Sequence, residues 1–177
     1  MTKTIRFGAA GIALFAAMGM SNTAFAQQTA SADASAEVLD ALTIDNNAAL
    51  DFGTMVVDGG GTVSLAPDGT IDCTSANIVC SGTTSVAGFD VTGTAAKAVT
   101  INLPTAAVNL RHPDFGVGST GEHTIVLDTF TSSATGEEIT LDGAGEGSFT
   151  VGGTITLDGG EVSGVFEASF DVSVEYS

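Results

Sequence analysis

Apolar residues recur at every second position through the last part of the chain. Phe166, Ala168, Phe170, Val172, Val174 and Tyr176 alternate with Glu167, Ser169, Asp171, Ser173 and Glu175. This is the period of a β-strand with one buried and one wet face, and it predicts a long strand over 166–176. Phe149, Val151, Gly153, Ile155 and Leu157 repeat the pattern against Thr150, Gly152, Thr154 and Thr156. Asp158-Gly159-Gly160 between the two segments has the chemistry of a hairpin turn. Phe89 and Val91 lead through residues 93–96 to Val99, Ile101 and Leu103, which predicts another hairpin ending at Pro104. Residues 61–65, 124–131 and 138–141 read as further strands, whereas 105–121 breaks the rhythm and reads as a long loop. Near the start, Ala32, Ala34, Ala36 and Val38 alternate with Ser31, Asp33, Ser35 and Glu37. The register shifts at Leu39-Asp40 before Leu42 and Ile44 resume it, as at a bulge or where a strand changes sheets.

Many short strands, Gly-rich turns and almost no helical periodicity make this an all-β chain. The preferred architecture is an immunoglobulin-like antiparallel β-sandwich. No internal repeat divides it, so residues 27–177 are expected to form one domain, with 27–38 either its first strand or an N-terminal extension.

The first 26 residues read differently. Lys3 and Arg6 precede an apolar stretch over 7–20, and Ala24-Phe25-Ala26 closes the segment. A charged start, an apolar middle and an A-x-A-like end make a secretory signal peptide, which predicts an exported protein of the cell surface, the extracellular space or the periplasm. No other run is apolar enough to span a membrane. Cys73 and Cys80, separated by residues 74–79, are an even pair in an oxidising compartment, and a disulfide is expected between them.

Charge narrows the functional classes. There are 21 acidic and 4 basic residues, a net charge of −17. A nucleic-acid binder needs a basic patch, and so does a protein held on anionic lipid, so both are excluded. Outward carboxylates also discourage pairing of exposed strand edges.

Catalytic chemistry is hard to find. No G-x-S-x-G motif and no Ser/His/Asp arrangement is present. His112, Asp114, Glu122 and His123 fall together near the predicted loop, but their spacing matches no metal-ligand pattern, and they read as exposed loop residues. Asp58, Asp68, Asp142 and Asp158 precede glycines, where Asp hydrogen-bonds its own backbone. No calcium-loop spacing occurs. Neither a cofactor nor a metal is expected.

Three pieces of the chain resemble a secreted bacterial family catalogued as a domain of unknown function, number 4402. They are the alternating entry over 32–44 followed by Leu50-Asp51-Phe52-Gly53-Thr54; the segments Phe89-Asp90-Val91-Thr92-Gly93-Thr94 and Val99-Thr100-Ile101-Asn102-Leu103-Pro104; and Phe149-Thr150-Val151-Gly152-Gly153-Thr154-Ile155 with residues 164–176. The Asp51-Phe52-Gly53 step and a last strand ending in Tyr176 are also similar to fimbrial subunits of the chaperone–usher type, including the spore-coat-U-like branch. That resemblance implies a sandwich lacking one strand, completed by a neighbour's N-terminal segment through β-augmentation. The donor residues here would be Ala32, Ala34, Ala36 and Val38, and Phe166, Phe170, Val172, Val174 and Tyr176 would form the core face of the last strand. The implied partners are copies of the chain, sibling subunits and a periplasmic chaperone.

The resulting expectation is a non-enzymatic structural subunit of a bacterial surface filament or coat. The alternative is a monomeric secreted or periplasmic module that binds carbohydrate or a cation through the 105–121 loop.

Overall fold

The structure, a computed structural model, describes residues 28–116 and 121–177. The expected signal peptide over 1–26 lies outside the described residues. The chain divides into two compact units, 1–36 and 37–177. In the first, residues 28–36 are exposed and belong to no strand. In the second, every strand pairing is antiparallel.

The larger sheet runs in the order β1 (Thr43–Ala48), β6 (Ala87–Thr92), β11 (Glu146–Leu157), β3 (Gly61–Leu65) and β4 (Ile71–Asp72). Strand β9 (Thr124–Ser132) pairs with the other edge of β11, and β8 (Val108–Arg111) pairs with β9. The smaller sheet orders β10 (Glu138–Thr140), β7 (Ala98–Asn102) and β12 (Ser173–Tyr176). A two-stranded ribbon joins β2 (Thr54–Val57) and β5 (Ile78–Ser81).

Strand β11 organises the larger sheet. Phe149, Val151, Ile155 and Leu157 are all buried, as their alternation requires. Its neighbour changes midway. Residues up to Val151 pair with β6, and those from Gly153 pair with β3. Gly152 sits at the change, pressed against the Leu65 carbonyl, where any Cβ would overlap backbone. Two clusters fill the interior. One joins Phe89, Val91, Phe149 and Val151 of the larger sheet to Val99 and Ile101 of the smaller. The other gathers Phe52, Val63, Leu65, Ile78, Ile125, Leu127, Ile155 and Leu157, under the ribbon. Each fully buried side chain of this kind contributes about 1.5–3 kcal/mol relative to exposure. The two facing antiparallel sheets are the expected β-sandwich.

Both predicted hairpins reverse the chain without pairing their strands. After Asp158-Gly159-Gly160 the chain crosses from β11 to β12, which pairs with β7. After residues 93–96 it crosses from β6 to β7, again in the facing sheet. Turn residues specify reversal, while a strand buried on one face shows the same alternation in either sheet. The segment 105–121, read as loop, contains β8, whose Val108 and Leu110 turn inward against β9. The first strand starts only at Thr43, beyond the register shift at Leu39-Asp40.

The Asp-Gly turns form as expected at two sites. Asp68 Oδ1 accepts the Thr70 N–H at 2.9 Å, and Asp142 Oδ1 accepts those of Ala144 at 2.8 Å and Glu146 at 2.9 Å. These backbone donors, with the Thr70 hydroxyl at Asp68, hold both carboxyls below their ordinary range. A lowered pKa means the stabilisation is present above the unfolded value and lost as pH falls through the folded one. No helix among the described residues is long and apolar enough to cross a membrane.

Candidate functional site

The predicted strand over 166–176 keeps its alternation but not its pairing. Phe166, Phe170, Val172, Val174 and Tyr176 are half-buried, and the intervening residues are exposed. Ala168 is the exception and faces out. Only Ser173–Tyr176 is laddered, on one edge, to β7. Glu167 makes an isolated bridge to Arg111. The backbone of 168–172 makes no hydrogen bond among the described residues. One open edge therefore runs from residue 168 along β12, with apolar side chains directed inward beneath it.

Beside residues 168–170 the described residues leave part of the interior uncovered. Two adjoining cavities of about 620 and 830 Å³ share Leu50, Asp51, Phe52, Leu110, Val165 and Phe166 in their linings. One wall is the stretch from Asn46 through β2 to Val57, and the other is 161–170. Buried core residues Ala87, Phe89, Ile125, Leu127, Ile155 and Leu157 form the floor. Exposed Val56 and Val165 stand on the rim. The floor between the walls is thus made of core side chains, and along one wall the backbone of 168–170 makes no hydrogen bond among the described residues.

The walls are fixed from behind. Arg111 and Glu167 exchange backbone hydrogen bonds of 2.9 and 3.1 Å, and Val162 N–H donates to the Glu122 carbonyl at 3.0 Å. The Phe166 ring meets His112 edge-on, with centroids 5.4 Å apart, and Phe170 packs on Phe130 at 4.9 Å. Cys73 and Cys80 form the expected disulfide, with Cα atoms 6.2 Å apart. It closes the loop that leads into β5, and β5 carries β2 and so the other wall.

The two histidines do not sit as exposed loop residues. The His112 side chain is 13% exposed, and its Nδ1 accepts the Asp114 N–H at 3.1 Å. His123 lies edge-on to it at 5.9 Å, and the buried His123 Nδ1 has no hydrogen-bond partner among the described residues. His112 is partly covered because Gly164, lacking a side chain, lets the 161–167 segment close over its ring. Among the described residues, no three His, Cys, Asp or Glu side chains are grouped to hold a metal ion.

The root of the N-terminal segment is pinned. Tyr176 OH donates to the Asp40 carbonyl at 2.8 Å and accepts the Thr94 N–H at 2.7 Å, while Asp40 N–H donates to Thr94 Oγ1 at 2.7 Å. Lys97 also pairs with Glu37 at 2.5 Å. Before this node, Ala32, Ala34, Ala36 and Val38 are exposed and lie in no strand. Tyr176→Phe removes the hydroxyl and leaves two backbone groups without that partner. A loss of about 1–3 kcal/mol is expected in denaturant unfolding, with faster amide exchange at Thr94. An unchanged midpoint and unchanged exchange would show that the node carries no stability.

The groove walls come from segments far apart in the chain. Leu50-Asp51-Phe52 was visible only as a short step, and Leu110 lay inside the predicted loop. The profile of the family described as a domain of unknown function, DUF4402, matches residues 42–176. No curated protein and no solved structure matches the chain. The profile spans every strand of the sandwich, both walls of the groove and the open edge of β12, and the chain therefore belongs to the DUF4402 family.

Proposed function

We propose that this protein is a non-enzymatic structural subunit of a bacterial surface filament or coat, linked to its neighbours by strand addition. The groove walled by 46–57 and 161–170 carries the reading. It combines an open strand edge, which supplies main-chain hydrogen bonds, with inward pockets that take alternate side chains. A segment with period-2 apolar residues, Ala32, Ala34, Ala36 and Val38, is exposed and lies outside the strands, where a neighbour could take it up. The disulfide and the predicted signal peptide support assembly in an oxidising space outside the cytoplasm.

Strands locked into such grooves resist detergent but yield to heat. Material sheared from the cell surface, treated with SDS without boiling and probed for this chain, is expected to run as a ladder. Boiling should collapse the ladder to one band. A single monomer band before boiling would refute the subunit reading and favour a self-contained binding module.

A further inference from the structure

We infer that the strand this groove is built to take comes from a different chain, one with large apolar side chains at alternate positions and basic residues between them. The inference rests on the strand-addition reading. Its first ground is size. The two cavities, about 620 and 830 Å³, fall in the range of pockets that enclose drug-sized molecules. This chain's own segment offers one methyl each at Ala32, Ala34 and Ala36, and a single larger side chain at Val38. Methyls on an added strand leave most of that space empty and leave the rim residues Val56 and Val165, 65% and 66% exposed, still in water. Leu, Ile or Phe at the same positions would reach the floor.

The second ground is charge. The ionisable residues lining the cavities are Asp51, Glu161 and Glu167, with no Lys or Arg among them. The N-terminal segment brings Asp33 and Glu37 and no cation. Acid would thus meet acid wherever the strand passes a wall carboxylate within the screening length of about 8 Å at physiological salt. A strand carrying Lys or Arg between its apolar residues reverses the sign of each encounter and approaches faster. The chain is then a joint in a mixed polymer. It receives a bulky basic strand and offers its small acidic one to a shallower groove elsewhere.

The test titrates the purified exported chain with two synthetic peptides by calorimetry at physiological salt. One is the native segment 28–38; the other carries A32L, A34L, A36L, D33K and E37K. The substituted peptide is expected to bind at least about tenfold tighter. Lowering the salt should strengthen its binding and weaken that of the native peptide. A third peptide, with A34L, S35L, A36L, D33K and E37K, carries the same charge and three leucines that cannot all face the groove, and it should bind more weakly than the first substituted one. Equal or tighter binding of the native peptide would overturn the inference and leave strand addition standing. Equal binding of the third peptide would overturn it too, since bulk at alternate positions would then not matter. Failure of every peptide to bind would overturn strand addition itself.

Discussion

Phe149→Ala is expected to lower the stability of the fold by about 3–5 kcal/mol, the range for deleting a buried aromatic ring. Phe149 lies opposite Phe89 in the β6–β11 ladder. The two rings stack with centroids 5.2 Å apart and planes 17° from parallel. Both belong to the cluster that ties the two sheets together, and Phe149 is only 3% exposed. Loss of the ring removes its transfer free energy and leaves a cavity between β-ladders that cannot close without breaking hydrogen bonds. Domains of this size are stable by about 5–15 kcal/mol, so the variant would stand near its unfolding threshold. Urea unfolding of parent and variant provides the measurement. Val165→Ala, on the exposed groove rim, is the control and should change stability by no more than about 0.5 kcal/mol. A Phe149→Ala loss below about 1 kcal/mol would show that the interior repacks freely.

Removing the disulfide is the second large effect. The double variant Cys73→Ser, Cys80→Ser should cost about 2–3 kcal/mol, from the loop-closure entropy of a short ring. The loop it closes does more than hold itself. Ser75 Oγ accepts the Thr62 N–H at 3.1 Å and donates to the Thr62 carbonyl at 2.8 Å, and Asp58 N–H donates to the Asn77 carbonyl at 2.8 Å. These bonds clamp the turn between β2 and β3. Loosening the loop therefore loosens β2, one wall of the groove, and peptide uptake should fall along with stability. Dithiothreitol should bring the parent to the variant's midpoint and leave the variant unmoved. A double variant as stable as the oxidised parent would show that the ring adds no constraint.

Much of the sandwich was legible because alternation survives into the structure almost residue by residue. Phe149 to Leu157 and Phe170 to Tyr176 turn inward at the expected positions. Sheet membership was not legible, because Asp158-Gly159-Gly160 encodes a reversal and says nothing about which sheet receives the next strand. Strand β8 was hidden between Pro104 and Pro113, which mark irregular backbone on either side of a four-residue run. The half-buried position of His112 depends on a glycine about fifty residues further along, a contact that no local pattern announces. The candidate site had the same difficulty. Residues 32–38 and the last strand could be read as periodic segments, but the cavities arise where Leu50–Phe52 and Val165–Phe166 are brought face to face by the fold.

The Tyr176 node also has a mechanical meaning. A pull on the residues before Asp40 enters the domain by two routes at once. One is the covalent chain into β1, and the other is the phenolic hydroxyl into the end of β12. Tension is divided between the two sheets, so β1 is not unzipped from β6 one rung at a time. A strand seated on the open edge would draw on that same β12, and the load between neighbours would then travel along a single strand's backbone, the stiffest path a sandwich offers.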